Sequence, residues 1–376
     1  MKLSFYLKNS LIKNFSKIRY HKSHEWVKLV SDKKALIGIT DYAKDQLGEL
    51  VFADLNKEIG DKIEVDEEVS QLESVKASAP VFSPISGKIT RKNNKPIVAL
   101  ESTIITHGIE YPQNYDTAIA VENVVRENGS IPATIAIIEG KINIGLSNEK
   151  IKDMAINKKL FKKCTTRDLA FALIEKDNGS TTVAATMICA NIAGIKVFAT
   201  GGIGGVHYGN DWDVSADLTE LSRTPVIVVC AGVKSILDIN RTLEVLETYS
   251  VPVIGYDTDI FPEFFFSDGD FKVKNNIKDP KKIAQIYNKQ IELGLKNGML
   301  VSVPVPKESS ADKDLVKSKI KEALEKCDKL KIKGADITPF LLKEVNNLTH
   351  GESSKANIAL IKNNAKIASL IAVNIK

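Results

Sequence analysis

The stretch that most constrains this chain is residues 197–238, VFATGGIGGVHYGNDWDVSADLTELSRTPVIVVCAGVKSILD. Two apolar runs, IKVFAT and TPVIVVC, stop abruptly at glycines or small residues. Apolar runs of strand length with no polar alternation belong to strands buried on both faces of a parallel sheet. In open α/β sheets, ligands bind in the crevice at the carboxyl ends of such strands. The glycines from Gly201 onward and Lys234 both stand at such ends. The chemistry is therefore expected here.

The chain around this stretch alternates in type. PIVALEST reads as a buried strand, and YDTAIAVENVVRENG as a helix ended by Gly129. ATIAIIEGKINIGL reads as a strand pair, RDLAFALIEK and TTVAATMICANIAG as helices, and VPVIGYD as a further strand. SILDINRTLEVLETYS is a helix between strands, and SSKANIALIKNNAKIASLIAVNIK is a helix apolar enough to pack inward. Strands alternating with helices predict one α/β domain over residues 95–376.

Residues 19–90 differ in character. HEWVKLV, KALIGITDYA, LVFADL and VFSPISGKIT are short β-type runs between Gly, Pro and charged turns, so a small β-rich module is expected. Within it, Lys76 sits at a hairpin between two strand-like runs, where a lysine is ordinarily a solvated charge. Before the module, residues 1–18 carry lysines and serines but no acid, and Leu3, Phe5, Leu7, Leu11, Ile12 and Phe15 would share one side of a helix. That pattern reads as an organelle transit peptide, hence a mitochondrial protein, with the cytoplasm as the alternative.

Composition narrows the remaining classes. A net charge of +5 spread over 376 residues gives no argument for a nucleic-acid partner. The longest apolar run, near residues 225–233, is strand length rather than membrane length. Cys164, Cys189, Cys230 and Cys327 have neither metal nor disulfide spacing, which fits reduced thiols inside a cell.

Several residues could carry chemistry, and each has a plain structural reading beside it. GGIGG could cradle a phosphate through its N–H groups, although it is also an ordinary tight turn. His207 is a ligand or acid candidate, or a structural hydrogen-bonder. Asp213 and Asp217 would share one face at a helix start and suit a hard cation such as Mg or Mn. Their alternative is to be acids favoured by the helix dipole. Lys234, near a helix start, gains nothing from that dipole and could serve as an amine nucleophile. A second cation favours the neutral amine, because two charges about 4 Å apart repel by about 4 kcal/mol at an effective dielectric of about 20. Lys163 is the candidate for that cation, and Glu101, at the end of IVALE, is the candidate general acid.

Two resemblances add to this reading. HEWVKL, ALIGITDYAKDQLGELVFADL and ESVKASAPVFSPISG resemble the glycine cleavage system H protein over residues 19–89. In that family the lysine of ESVKA carries lipoate, which implies a barrel-sandwich lipoyl module, lipoylation of Lys76 and glycine cleavage enzymes as partners. The H-protein family continues well past SPISG with strands that close its sandwich, whereas this chain turns to other sequence at RKNNK.

The second resemblance covers residues 95–376. ALESTIITHGIEYPQN, GSTTVAATMICANIAGIKVFATGGIGGVH, DVSADLTEL and TPVIVVCAGVKSILD resemble pseudouridine-5′-phosphate glycosidase. That family has an α/β/α fold, binds manganese (one Mn2+ per subunit) as a homotrimer, and reversibly splits pseudouridine 5′-phosphate into uracil and ribose 5-phosphate. The resemblance makes Glu101 the proton donor that opens the ribose and Lys234 the nucleophile forming a Schiff base at C1′. It makes Lys163, Val183, Ser215, Ala216 and Asp217 substrate contacts, Asp213 the metal ligand, and His207 and Asn357 pocket-lining residues. The chain departs from the family at Tyr208, where an arginine is usual, at Val303, where an asparagine is common, and in a shortened run before Asp213. Two other readings remain open: a lipoyl carrier whose larger part is an inactive scaffold, and a Schiff-base aldolase of another phosphosugar.

Overall fold

The computed structural model describes residues 2–6, 18–31, 34–47, 50–54, 56–57, 60–74, 77–93, 96–209, 213–332, 334 and 337–375. The chain forms two compact units, Met1–Lys95 and Pro96–Lys376.

The first unit holds two antiparallel sheets. One runs in the order Arg19–Tyr20, Glu25–Ser31, Lys34–Ile39, Lys2–Tyr6, Gly87–Asn93, Lys62–Ile63. The other consists of Leu50–Asp54, Glu68–Ser74 and Ser78–Phe82. Val27, Ile37 and Ile89 of the larger sheet share one core with Leu72 and Val81 of the smaller, as in a sandwich. The buried Glu25 joins the sheets by accepting the Phe82 N–H at 3.0 Å. The expected hairpin is present, its turn tied by the Ser74 N–H donating to the Ala77 carbonyl at 2.8 Å. Lys76 itself lies outside the described residues.

The N-terminus departs from expectation. Residues 2–6 form a strand rather than a helix, and residues 7–17 lie outside the described residues. Lys2–Tyr6 pairs antiparallel on both sides, with Phe5 opposite Ala35 and Ile89. Leu3 and Phe5 alternate with a period of two, which a strand uses as readily as a helix uses the wider spacing. Without this strand, Lys34–Ile39 and Gly87–Asn93 would each present a row of unpaired backbone groups.

The second unit is built on a ten-stranded sheet. Its order is Lys162–Cys164, Gly179–Thr181, Ile131–Ile138, Ile97–Leu100, Val197–Ala199, Ile227–Cys230, Met299–Ser302, Val253–Gly255, Asn275–Asn276. Lys141–Ile144 pairs antiparallel with Ile131–Ile138, as does Gly179–Thr181, and the remaining pairings are parallel. Every residue of Ile227–Cys230 is fully buried, so helices cover both faces of the sheet. Gln113–Glu127, Val183–Ile192, Ile239–Thr248 and Glu352–Ala372 are among those helices. The architecture is therefore the expected α/β/α arrangement. Met299–Ser302 lies between Ile227–Cys230 and Val253–Gly255. No described helix is long and apolar enough to cross a membrane.

Candidate active site

The parallel strands bring their carboxyl ends together, and the candidate residues follow directly. Glu101 succeeds Ile97–Leu100 and is 8% exposed. The hydroxyls of Thr103 and Thr200 donate to its two carboxylate oxygens. Thr200 ends the adjacent strand, and the buried Asn364 donates to its carbonyl at 2.8 Å. The carboxyl group is thus held from its own strand end, from the neighbouring strand and, through Thr200, from the last helix.

Lys234 sits in the turn after Ile227–Cys230. Its backbone N–H donates to Ile203 at 3.2 Å, and its carbonyl accepts from Leu237 at 2.9 Å. Lys163 lies in the edge strand Lys162–Cys164. Glu101, Lys163, Lys234 and Asn357 line one cavity with about 520 Å³ of empty space. The Asn357 Oδ1 is buried with no hydrogen-bond partner among the described residues, so it offers an acceptor at this site. A second space of about 1080 Å³ adjoins the first, sharing His107, Pro339 and Asn357 with it.

His107 and Phe264 also line the cavity, and sequence reasoning did not single them out. The His107 Nδ1 lies 2.5 Å from the Thr106 hydroxyl and 3.3 Å from that of Ser180. Its position within ALESTIITHG, just past the Glu101 strand, is a signal that could have found it. For Phe264 no local signal exists, because its loop reaches the site only through tertiary contact.

Other expected contacts lie apart from the lining of this cavity. Asp217 is 6% exposed and accepts backbone N–H groups from Ala184 at 2.9 Å and Gly204 at 2.8 Å. Its carboxylate joins the first turn of Val183–Ile192 to the glycine turn. The helix Ala216–Leu221 begins after Asp213, so the two aspartates share no helix face. Ser215 caps that helix by accepting the Asp217 N–H at 3.2 Å, and Ala216 is its first residue. Val183 is buried at the start of Val183–Ile192, where Thr182 is the cap. Val303 is buried as well, while Tyr208 is 52% exposed.

Within GGIGG the Ile203 N–H donates to Gly232 and the Gly204 N–H to Asp217, while Gly201 and Gly202 line the cavity. The glycines also answer a packing demand. A Cβ on Gly202 would fall 2.6 Å from the Phe264 ring, and one on Gly204 would fall 2.3 Å from the Ser215 hydroxyl.

His207 donates its backbone N–H to the Asp213 carbonyl at 3.0 Å. Burial holds its imidazole below the usual range; Asp213 opposes that shift, while Lys163 and Lys234 reinforce it. Among the described residues no group of three or more His, Cys, Asp or Glu is placed to hold a metal ion. Of the described residues, Asp213 offers one carboxylate to the expected manganese ion, whose other positions would fall to water. Residues 210–212 lie outside the described residues. The four cysteines are free and buried, and burial pushes Cys164 up to about 11 and Cys189 and Cys230 up to about 12, so none is a nucleophile candidate.

The chain resembles known proteins in both of its units. The family described as "Indigoidine synthase A like protein" matches residues 88–374, and "Glycine cleavage H-protein" matches residues 18–104. The pseudouridine-5′-phosphate glycosidase of Caldanaerobacter subterraneus is 51% identical over 290 residues, covering 77% of this chain and 94% of that protein. The one from Petrotoga mobilis is 51% identical over 283 residues, covering 75% and 92%. Among solved structures, an indigoidine synthase A-like protein from Thermotoga maritima superposes with a TM-score of 0.70 at 36% identity, covering 75% of this chain and 94% of its own. The prealnumycin C-glycosynthase AlnA, solved with ribulose 5-phosphate, gives a TM-score of 0.69 at 36% identity, covering 74% and 91%. Through residues 88–374 the chain belongs to the indigoidine synthase A-like family, and an H-protein-like lipoyl module precedes that domain.

Proposed function

We propose that the larger unit reversibly cleaves the C–C glycosidic bond of pseudouridine 5′-phosphate, giving uracil and ribose 5-phosphate. The observation that carries this reading is the meeting of one buried carboxyl group and two lysines, Glu101, Lys163 and Lys234, on a single cavity at the strand ends. The names of relatives at 51% identity, and the C-glycosynthase and sugar phosphate of a structural neighbour, support it.

The chemistry follows from what such a bond lacks. A C–C glycosidic bond has no leaving oxygen to protonate, so the two-carboxylate route of ordinary glycosidases does not serve. Lys234, as the free amine, adds to C1′ while the C1′–O4′ bond breaks and the ring oxygen takes the proton of Glu101. The alkylated ammonium gives a proton back to the Glu101 carboxylate, and the nitrogen lone pair so freed drives cleavage of the C1′–C5 bond. The bonding electrons stay on the uracil carbon, which takes that proton from Glu101, and an iminium remains between C1′ and Lys234. Water hydrolyses the iminium, so one water is consumed per turnover. Thr103 and Thr200 fix the acid in place, and Lys163 supplies positive charge for an anionic substrate.

The test is borohydride reduction in the presence of ribose 5-phosphate, followed by peptide mass spectrometry. A reduced sugar on Lys234 is expected, and uracil release should vanish in Lys234→Ala. A folded protein without adduct or uracil release sinks the reading. Uracil-free turnover of another phosphosugar would favour the aldolase alternative. Manganese and a homotrimer are implied by resemblance alone. The adduct is expected to form equally in EDTA-treated protein, and light scattering measures the assembly.

A second reading concerns the smaller unit, favoured by its match to the glycine cleavage H-protein over residues 18–104. We propose lipoate on Lys76, and a mass spectrum of the protein from its native source tests it. The same spectrum tests the mitochondrial reading: a mature chain that still contains residues 2–6 counts against a cleaved leader there.

A further inference from the structure

Asn364 is fully buried within the helix Glu352–Ala372. Its Nδ2 donates to two successive carbonyls, that of Thr200 at 2.8 Å and that of Gly201 at 3.2 Å. Its Oδ1 is buried with no hydrogen-bond partner among the described residues. Exchanging the oxygen and nitrogen of the amide would not help, because the oxygen would then face two carbonyl acceptors. A buried acceptor without a donor costs stability, and each such group calls for a reason. The reason here is the nitrogen, whose two bonds no apolar side chain could make.

Both carbonyls belong to the surroundings of the site. Thr200 carries the hydroxyl that donates to Glu101, and Gly201 lines the cavity. The Gly201 carbonyl also accepts the Ala231 N–H at 2.8 Å, from the turn that leads to Lys234. The helix that carries Asn364 brings Asn357 to the same cavity, and the spacing i, i+7 puts the two asparagines on one helix face. Gly201 is where that face meets the strand end. A Cβ there would lie 3.3 Å from the Asn357 Oδ1 and 3.6 Å from the Leu360 side chain. One buried amide thus ties the last helix to the strand end that supports the acid.

We infer that Asn364 is a positioning residue for the proton transfers of Glu101. The inference rests on the cleavage reaction proposed above. Asn364 is not among the residues lining the cavity, so it acts through others. By holding the Thr200 carbonyl it fixes the backbone from which the Thr200 hydroxyl reaches the Glu101 carboxyl. An acid shifted from the atom it must protonate transfers its proton less readily, while contacts that merely bind the substrate are little changed. Loss of the Asn364 amide should therefore fall on kcat rather than on KM.

The experiment separates positioning from packing. Uracil release from pseudouridine 5′-phosphate is measured in wild-type protein, Asn364→Ala, Thr200→Val and the double variant, with circular dichroism reporting that each is folded. Asn364→Ala should lower kcat at least about tenfold with KM within about threefold, a tenfold change being 1.4 kcal/mol. Because Asn364 acts through Thr200, the same substitution made in Thr200→Val should lower kcat further by no more than about threefold. Equal losses in the two backgrounds overturn the inference and leave Asn364 as packing. So does an unchanged kcat in folded Asn364→Ala, or a rise in KM as large as the fall in kcat. Should Asn364→Ala fail to fold, Asn364→Ser, whose hydroxyl keeps one donor for the carbonyls, is read in the same cycle by the same criteria. Failure of the wild-type protein to release uracil would instead sink the underlying reaction.

Discussion

In the larger unit, Ile227–Cys230 has a parallel neighbour on each side and no exposed residue. In the smaller unit, the pairings of Lys2–Tyr6 with Gly87–Asn93, and of Glu25–Ser31 with Lys34–Ile39, both slip register part-way. So do the pairings of Glu68–Ser74 with each of its neighbours. The contrast teaches how core size governs regularity. A large sheet covered by helices buries both faces, and its register is enforced by apolar side chains above and below. A small antiparallel sandwich has one buried face per sheet and bends its strands with bulges to wrap the core. The larger unit can therefore hold polar groups such as Glu101 and Asn357 at its strand ends, whereas the smaller one has little stability in reserve.

Five measurements break or sharpen this comparison. Lys234→Ala should abolish uracil release entirely while any lipoylation of Lys76 proceeds unchanged; loss of both would mean the two units are functionally coupled. Glu101→Gln should lower kcat by about 10²–10⁴-fold, the range for a lost general acid, with the thermal transition of the larger unit retained. A methyl-for-side-chain exchange placed in each core then compares their reserves. Ile37→Ala and Leu246→Ala both truncate buried residues and should each cost about 2–5 kcal/mol. A module of this size holds only about 3–5 kcal/mol in its core. Differential scanning calorimetry of Ile37→Ala should thus show the smaller unit's transition gone with cleavage activity intact, and Leu246→Ala should show a lowered but cooperative transition.

Gly202→Ala should cost about 1–3 kcal/mol by overpacking, because its Cβ would press on the Phe264 ring; a chemical-denaturation curve measures it, and activity should fall with it. The smallest effect is expected at Asp270, where Lys317 and Lys313 hold the carboxyl down at about 2. The pair is largely exposed, so Asp270→Asn should cost under about 1 kcal/mol. The folded-state value lies below the ordinary 3.8, so that contribution is complete above it and fades as pH falls through about 2. A wild-type advantage in Tm that grows on acidification would contradict this.

Much of the larger unit is legible in its sequence, since buried strands and amphipathic helices leave periodic marks. PIVALEST, IKVFAT and TPVIVVC all lie where strands form, and Glu101 and Lys234 stand at their ends. Met299–Ser302 was not legible: a short run in GMLVSVP offers no period to read. The aspartate pair misled because spacing of four suggests a helix face, while the helix begins only at Ala216. The strand at Lys2–Tyr6 was hidden for a related reason, as Leu3 and Phe5 fit either period.

By itself the sequence determined the architecture, the positions of Glu101 and Lys234 beyond strand ends, and the break between two units near residue 95. Those properties follow from local apolar patterning, which each segment carries within itself. Tertiary structure alone decided that Thr200 supports Glu101, that Asp217 ties a helix start to the glycine turn, and that Phe264 is pressed into a left-handed turn over Gly202. These contacts join residues 33 to 99 positions apart for the hydrogen bonds of Asp217 with Ala184 and Glu101 with Thr200. No local pattern encodes such a meeting, because the partner that gives each residue its role arrives only when the sheet has assembled.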